Sequence, residues 1–438
     1  MTERTCSCDV AVIGAGAAGL IAAAQLAASR CSVRVLEARS RAGGRIFTYR
    51  DPAFPYPLEL GAEFVHGAAP LTGELLHRAG IATVVTAGTR WVAREGRLHP
   101  APDIFDDVHR LMQHVGSLNE SDLSVEQFLE RHAGDRGFDL ARVSARMMVE
   151  GFDAADPKRA SVRAIAREWG AGSGAERRPM DGYGRLVAEL ERSYRLSGNS
   201  LELDTAVRSV QWQPGSVRID AASPAGPLSV TARRAIVTLP LSLFDSRPDA
   251  PGSVRFEPTI DDKLAAARGL ALGPVVKVLL RFRRPFWETS AQSRYRSAGF
   301  MHAPGSAFPT LWTQLPAHVP LLTLWAGGPR AANLAGLSRD QLLEKAIAAV
   351  QSVFGQQARD ELSAACLHDW QNDPFARGAY SYVTVGGGDA SRRLAMPLAD
   401  TLYFAGEATC SEGMGTVEAA LQSGARAAAQ TLASLTAH

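Results

Sequence analysis

A chain of 438 residues is long enough for two large domains or about three of ordinary size. Its 46% hydrophobic and 21% charged residues are typical of a folded globular protein and argue against long disordered regions. The 47 basic and 45 acidic residues leave a formal charge of +2, which gives no electrostatic reason to expect nucleic acid or an anionic membrane as a partner.

The cysteines and the apolar N-terminal region bear on metal binding and compartment. Five scattered cysteines without a Cys-x-x-Cys pair disfavour a disulfide scaffold and a structural zinc site, and we expect no metal. Residues 10–28 are the most apolar stretch, but the glycines inside it favour a strand, a turn and a helix over a membrane span. No signal-like apolar segment comes before residue 9, so we expect a soluble, cytoplasmic protein.

The first elements predict half of a nucleotide-binding sheet. Residues 8–13 are typical of a short buried strand, and a Gly-rich turn, an Ala-rich helix to about residue 29 and a strand over 32–37 follow. This order is that of a mononucleotide-binding half of a doubly wound sheet. From about residue 73 to 180 the periodicity is mostly helical, with charged residues on the polar faces.

The second half of the chain begins with strands and ends with a strand and a helix. Short alternating segments split by Pro and Gly predict paired strands at 201–203, 206–212, 217–221, 228–231 and 235–239. Another strand is predicted at 275–282. A capping box of Ser338 and Gln341 opens a helix that Gly355 ends, and a strand at 402–405 precedes a helix from about residue 416.

The motif Gly14-Ala-Gly16-Ala-Ala-Gly19 lies between the first predicted strand and helix, which is the setting of a dinucleotide site. Gly14 permits the tight turn, Gly16 lets the backbone approach a pyrophosphate, and Gly19 lets the helix and strand pack. Glu37 ends the second strand, 18 residues after Gly19. A carboxylate there accepts from a ribose hydroxyl and repels a 2′-phosphate, which disfavours NADP.

The segment after Glu37 bears on the choice between FAD and NAD. Gly43 and Gly44 let the backbone wrap closely, and Arg45 offers a fork of donors to a phosphate. A surface salt bridge is the alternative role of Arg45, since 43 of the basic residues are arginines.

Motifs along nearly the whole chain resemble those of the flavin-containing amine oxidase family, which includes monoamine oxidases, polyamine oxidases and histone lysine demethylases. They are the Gly-rich turn with Glu37, Arg41-Ala-Gly-Gly-Arg45, Glu59-Leu-Gly-Ala-Glu-Phe-Val-His-Gly67, Asp181-Gly-Tyr-Gly184, Thr205-Ala-Val207, Ile236-Val-Thr-Leu-Pro240, Lys277, Trp370, Gly378-Ala-Tyr-Ser381, Tyr403-Phe-Ala-Gly-Glu407 and Gly415-Thr416-Val417. The resemblance implies an α/β (α+β overall) fold. A Rossmann-like FAD-binding domain is expected over 1–72, 181–262 and 397–438, and an inserted substrate domain of mixed β-sheet and helices over 73–180 and 263–396.

The resemblance also implies which residues hold the cofactor. Glu37 matches the ribose ligand, Arg45 the phosphate-side arginine, Val207 the adenine contact and Glu407 the acid at the ribitol and pyrophosphate. The full set of cofactor residues expected is Gly14, Gly16, Ala18, Gly19, Glu37, Ala38, Arg39, Gly44, Arg45, Gly61, Ala62, Glu63, Val207, Trp370, Gly406, Glu407, Thr416 and Val417. Ala379 stands where some monoamine oxidases have a flavin-linked cysteine, so the expected FAD is non-covalent.

Lys277 is the most unusual residue of the predicted strand 275–282. Strand alternation puts its ammonium on the same face as Val275 and Leu279, and a buried lysine is costly unless it is paired or functional. An edge strand with the lysine extended to water is the alternative. In the family the matching lysine holds a water against flavin N5, and we expect that role here, with help in reoxidation by O₂.

The remaining catalytic candidates are Tyr380, Thr416 and His66. Tyr380 matches one aromatic wall of the family's amine cage, while Thr416 stands where monoamine oxidases have the second wall. That departure, and His66 beside the expected substrate, are closer to polyamine oxidases and demethylases. Glu63 either aims at an amine or is a paired acid, and no acidic cluster for a polyamine's second charge is evident.

The predicted function is an FAD-dependent amine oxidase. A hydride passes from the carbon next to the amine nitrogen to flavin N5, and O₂ then yields H₂O₂. The partners expected are a small amine and O₂, with a monomer or homodimer. The alternatives are an L-amino-acid oxidase with an arginine clamp, a desaturase-like flavoprotein, a flavin-binding protein without turnover and an NAD-dependent dehydrogenase.

Overall fold

The computed structural model describes residues 3–94, 96–101, 104–117, 121–132, 139–170, 176–244 and 250–436. In chain order the strands and α-helices of these residues are β1 (Arg4–Ile13), α1 (Ala17–Ala28), β2 (Val33–Leu36), β3 (Thr48–Tyr49), β4 (Leu58–Glu59), α2 (Pro70–Arg78), β5 (Thr83–Val85), β6 (Thr89–Arg94), β7 (Arg97–Pro100), α3 (Ile104–Gln113), α4 (Val125–Arg131), α5 (Asp139–Gly151), α6 (Val162–Gly170), β8 (Arg177–Pro179), α7 (Gly184–Arg195), β9 (Ser200–Glu202), β10 (Ala206–Gln213), β11 (Ser216–Ser223), β12 (Gly226–Val237), β13 (Arg255–Glu257), α8 (Asp261–Ala267), β14 (Leu270–Gly273), β15 (Val275–Phe282), β16 (Ala298–His302), β17 (Thr310–Trp312), β18 (Leu321–Gly327), α9 (Gly328–Ala332), α10 (Arg339–Phe354), α11 (Gln357–Asp360), β19 (Leu362–Asp369), β20 (Tyr380–Val383), α12 (Ala390–Ala395), β21 (Leu402–Phe404) and α13 (Val417–Thr436).

The first large sheet has eight strands and contains a parallel core in the order β9-β2-β1-β12-β21. β12 is longer than its neighbours because its two halves have different partners on one side. Its first half pairs antiparallel with β11 in a meander that continues through β10, and its second half pairs parallel with β21. The sequence predicts two short strands here, and the structure joins them into one.

Helices α1, α7 and α13 cover one face of the parallel core. The apolar side chains of β1 and β2 and those of the three helices form one buried cluster, which includes Val10, Leu20, Leu26 and Leu190. α13 approaches α1 very closely, since a Cβ on Gly424 would lie 2.2 Å from the carbonyl oxygen of Ala18. Layers of helix and parallel strand of this kind confirm the predicted α/β class.

The second large sheet has seven strands in the order β19-β15-β18-β17-β16-β6-β7. β15 lies inside it, antiparallel to both β18 and β19. The edge-strand alternative for Lys277 is therefore wrong, and the side chain is only 1% exposed. α10 packs its apolar side against this sheet, starting at the predicted capping box and ending at Gly355 with φ +72°.

The mostly helical reading of residues 73–180 is wrong in part, since β5, β6, β7 and β8 also lie there. β7 is an edge strand beside β6, where polar side chains such as those of Arg97 and His99 remain solvated. Alternation in so short and polar a segment gives little signal.

The two large sheets are built from the parts of the chain that the sequence assigns to two domains. The predicted boundary at 262/263 falls within α8, so a division there would cut a helix. Helices of the described residues are all too short or too polar to cross a bilayer, and all five cysteines are free.

Candidate active site

The turn between β1 and α1 forms an open cradle. Gly14 has φ +104°, and a Cβ on Gly19 would lie 1.9 Å from the carbonyl oxygen of Gly14, so both positions require glycine. A Cβ on Gly16 would instead meet nothing within 4 Å. Gly16 thus leaves space at the N-terminus of α1, where free amide groups and the helix dipole favour a phosphate.

Glu37 lies beside this cradle, buried at the end of β2. Its Oε2 accepts from the amide of Ala15 at 2.8 Å, and its Oε1 accepts from the amide of Arg39 at 2.9 Å. Each oxygen keeps a second lone pair for a ribose hydroxyl. The Arg39 guanidinium donates to Asp373, which ties this edge of the cradle to the segment after β19.

Arg45 and Glu407 form an ion pair that joins three distant segments. Arg45 Nη1 donates to Glu407 Oε1 at 2.7 Å and to the carbonyl oxygen of Ala379 at 2.6 Å. Glu407 also accepts from the Ser381 hydroxyl at 3.0 Å and from the amide of Gly415 at 3.0 Å. The motifs that the sequence singles out at these positions are therefore in direct contact.

These groups line one cavity of ≈ 1380 Å³, which also includes Lys277, Tyr380 and His66. Every predicted cofactor and catalytic residue except Gly19 lies on its wall. Ordinary ligand pockets occupy about 300–1,000 Å³. This cavity is larger, and it therefore has room for a dinucleotide together with a small substrate. The open cradle at a helix N-terminus and the buried carboxylate of Glu37 beside it fit the chemistry of a dinucleotide such as FAD.

A buried charge cluster underlies one wall of the cavity. Lys277 Nζ donates to Glu63 Oε2 at 2.7 Å and to the carbonyl oxygen of Gly61 at 3.2 Å. Glu63 Oε1 accepts from Arg178 Nε at 2.9 Å and from Trp312 Nε1 at 2.9 Å. Of the two roles open to Glu63, the structure shows the paired acid.

The pKa values of Glu63 and of its neighbour Glu59 shift in opposite directions. Burial alone would raise the pKa of Glu63, but the cations of Lys277 and Arg178 outweigh burial and hold it below its ordinary value. Glu59 lies nearby without a cation bonded to it, and burial raises its pKa to about 7. Its Oε1 accepts from the Thr48 hydroxyl and from the amide of Tyr183, each at 2.7 Å.

Aromatic rings line the cavity next to Lys277. Tyr380 and Trp325 lie nearly parallel, with centroids 6.4 Å apart and 19° between the planes. The Tyr380 hydroxyl donates to the carbonyl oxygen of Phe152, and the Trp325 indole donates to that of Gly151 at 2.7 Å. Trp325 thus lies beside Tyr380. Trp312 belongs to the same wall, with its ring centroid 6.1 Å from that of Trp325.

Thr416, the other predicted cage position, caps a helix. Its hydroxyl accepts from the amide of Ala419 at 3.1 Å, in the first turn of α13, and donates to the carbonyl oxygen of Gly413 at 2.6 Å. The loop just before it packs on Tyr380, since a Cβ on Gly415 would lie 3.1 Å from the tyrosine ring. Thr416 therefore fixes the loop, and its part in catalysis stays a prediction.

His66 and Trp370 also lie on the cavity wall. His66 Nδ1 is 3.7 Å from Glu176 Oε1, and its ring contacts Phe152. Burial lowers the pKa of His66, and the charge of Glu176 offsets this only in part. Trp370 Nε1 donates to the carbonyl oxygen of Leu60 at 2.9 Å.

Two acids that the sequence analysis missed line the cavity near Tyr380. Asp153 is 5% exposed, and neither of its carboxylate oxygens has a hydrogen-bond partner within the described residues. Burial, and then the charge of Glu168, raises its pKa well above the ordinary value, and the nearby Trp169 indole offsets this only in part. Glu168 is open to the cavity but surrounded by protein, and burial followed by the charge of Glu407 raises its pKa to about 7.

The sequence shows no acidic cluster for a second substrate charge, and the fold corrects this expectation, because Asp153 and Glu168 line the same cavity. Both acids influence the pKa of Tyr380, which burial raises first and their charges raise further. The one signal in the sequence is an acid within the apolar run Phe152-Asp153-Ala154-Ala155. Nothing in that pattern says that Glu168, at the end of α6, faces the same space.

Comparison with known proteins identifies the class. The sequence profile of the family described as flavin containing amine oxidoreductase matches residues 17–432. The chain belongs to this family of flavoprotein oxidoreductases, as the motifs predict.

Curated relatives match over nearly the whole chain. Lysine-specific histone demethylase 1 homolog 3 of Arabidopsis thaliana is 27% identical over 97% of this chain and 30% of its own length. Polyamine oxidase 2 of Arabidopsis thaliana is 28% identical over 97% of this chain and 88% of its own length. The chain thus spans under a third of the demethylase and most of the oxidase.

A solved structure shares the fold. Wild-type putrescine oxidase bound to putrescine superposes with a TM-score of 0.81 at 21% identity, covering 98% of this chain and all of that one.

Proposed function

We propose that the protein is an FAD-dependent amine oxidase that binds its FAD non-covalently. The observation that carries this is the convergence of the dinucleotide cradle, Lys277 and the aromatic wall on one cavity. FAD would accept a hydride equivalent from the carbon next to the amine nitrogen, leaving an imine, and would pass two electrons with two protons to O₂ as H₂O₂.

The residues of the cradle hold the nucleotide. The N-terminus of α1 beside Gly16 would receive the pyrophosphate, Glu37 would accept from a ribose hydroxyl, and Arg45 with Glu407 would hold the segments next to the ribitol and phosphates. Ala379 has no thiol to bond the flavin. The N-terminus of α13 offers amide groups to negative charge that develops on the reduced ring.

The other wall selects and orients the amine. The amine reacts in its neutral form, and apolar rings around Tyr380 and Trp325 favour that form because burial of a charge is costly. Lys277 lines the cavity, and its remaining N–H would hold a water or O₂ at the bound cofactor.

The acidic pair favours a diamine or polyamine as the substrate class. Asp153 is an unpartnered buried acid, and a second ammonium on the substrate would supply the missing cation. The polyamine oxidase among the relatives and the putrescine oxidase among the solved structures act on, or bind, amines of this class.

The test is anaerobic mixing of the purified yellow protein with a diamine, a polyamine, an aromatic monoamine and an L-amino acid. We expect diamine or polyamine to bleach the visible flavin band, and air to restore it with release of H₂O₂. Bleaching only by an L-amino acid would replace the proposal by an amino-acid oxidase. A yellow protein that no amine bleaches would favour a desaturase-like or non-catalytic flavoprotein.

Acid precipitation tests the mode of flavin binding in the same preparation. We expect all flavin in the supernatant, whereas yellow colour retained in the pellet would show a covalent link.

The two-domain division is supported by the strands of the two large sheets, since each sheet takes its strands from one of the two predicted domains. The cytoplasmic location and the monomeric or homodimeric state stay predictions.

A further inference from the structure

Lys277 has few donors to spare for the cavity. An ammonium has three N–H groups. One lies against Glu63 Oε2 at 2.7 Å and a second against the carbonyl oxygen of Gly61 at 3.2 Å. Only one N–H therefore remains for the cavity that Lys277 lines, and its direction is set by the other two.

Glu63 is itself held on every side. Besides Lys277, it binds Arg178 and Trp312, each at 2.9 Å. The other donors of Arg178 bind the carbonyl oxygens of Leu315 at 3.1 Å and Thr313 at 3.2 Å. Since both carboxylate oxygens are engaged, Glu63 is fixed and does not turn toward a substrate amine.

We propose that Glu63 is a positioning residue that keeps the Lys277 ammonium charged and aims its one remaining N–H into the cavity. Only the consequence for the flavin rests on the proposed function. The placement of the ammonium itself rests on the contacts of Glu63, Arg178 and Trp312 alone.

The charge balance of the cluster explains why Glu63 matters. Two cations and one anion give a net charge of +1 in a buried site. Without the Glu63 charge, two buried cations would face each other, and only Lys277 can lose its proton, because a guanidinium stays charged. Other charged groups on the packed elements are Glu59 of β4, bonded to Thr48, and His368 of β19, which faces Asp373.

Lysine-selective NMR tests the inference without any turnover. The chain has only four lysines, at positions 158, 263, 277 and 345, so protein labelled with ¹³C at lysine Cε gives four signals. The signal lost in Lys277→Met identifies Lys277. We expect this signal to reach the amine position at a lower pH in Glu63→Gln than in the wild type, because removal of the neighbouring anion favours the neutral amine.

Glu59→Gln is the matched control. It removes a buried acid four residues earlier in the same segment, whose hydrogen bonds go to Thr48 and Tyr183. We expect the Lys277 signal of this variant to keep the ammonium position. An unchanged Lys277 signal in Glu63→Gln, or the same movement in both variants, would overturn the inference.

The flavin-loaded protein supplies the second readout. In Glu63→Gln, reoxidation of the reduced flavin by O₂ should slow by roughly tenfold for each pH unit over which Lys277 has lost its charge, and should recover as the pH is lowered. Reoxidation that is slow at every pH contradicts a role through the Lys277 charge.

Glu63→Asp keeps the inference testable if Glu63→Gln does not fold. It retains the charge and withdraws it by one methylene, so we expect an ammonium signal at a shifted position and a smaller loss in reoxidation. A signal and a reoxidation rate equal to those of the wild type would refute the positioning role. Because the NMR result needs no amine oxidation, its failure is distinct from failure of the proposed function.

Discussion

Replacing Asp153 by asparagine should weaken diamine oxidation and stabilise the protein at the same time. The side chain is 5% exposed, its oxygens have no partner within the described residues, and Glu168 adds like charge. Asp153→Asn keeps the shape and removes the charge. A distal ammonium then loses its anion, while the substrate-free protein is relieved of the cost of holding a buried carboxyl group that has no cation beside it in the described part of the chain.

The expected magnitudes follow from the burial of the site. A hydrogen bond to a charged group is worth about 1.5–3 kcal/mol, so kcat/KM for a diamine should fall roughly ten- to hundredfold. For stability, the folded-state pKa of Asp153 is raised, so the folded state takes up the proton. The destabilisation therefore grows as pH rises above the ordinary value of 3.8 and is absent below it.

The assay compares 1,4-diaminobutane with butylamine by peroxide release, together with thermal unfolding at low and neutral pH. Glu150→Gln is the matched control, since Glu150 lies three residues earlier and pairs with Arg330, outside the cavity wall. We expect a selective loss for the diamine and a higher unfolding temperature at neutral pH only. Equal losses for both amines, or no loss in Asp153→Asn, would refute the acidic-site reasoning.

Other predictions concern the cradle, Lys277 and Glu59. Gly16→Val should fold normally but load little flavin, because its side chain enters the open space of the cradle, whereas Gly19→Val should fail to fold, because its Cβ strikes the backbone of Gly14. The flavin-to-protein absorbance ratio measures loading and circular dichroism measures folding. Normal flavin loading of Gly16→Val would contradict the cradle. Lys277→Met should fold, since Glu63 keeps Arg178 as its partner, yet reoxidise slowly in stopped-flow mixing with air; an unchanged rate would exclude the lysine from the O₂ step. Glu59→Gln should raise the free energy of unfolding by up to about 3 kcal/mol above pH 7 and by little below pH 4.5, since the raised folded-state pKa of Glu59, about 7, costs stability as the pH rises between those values. Chemical unfolding at pH 4 and pH 8 measures this, and equal gains at both pH values would contradict it.

Local sequence predicted the elements that rest on near neighbours. The strand 275–282 matches β15, and the helix after Ser338 begins and ends at the predicted caps, because alternation, capping and a left-handed glycine are all local signals. The prediction for residues 73–180 missed strands β5 to β8. Each of them is short, and β5, β6 and β8 pair with segments far along the chain, which a local pattern does not reveal.

The ordered motifs by themselves determined the family, and the Gly-rich turn with Glu37 predicted a dinucleotide site, because each motif keeps its chemistry within a few residues. The tertiary structure alone decided the charges around the cavity. Glu63, Arg178 and Lys277 come from three distant segments, and Asp153 and Glu168 line the same cavity from different elements. Whether an acid is paired or left without a partner depends on which groups folding brings within about 3 Å, and no spacing along the chain encodes that distance.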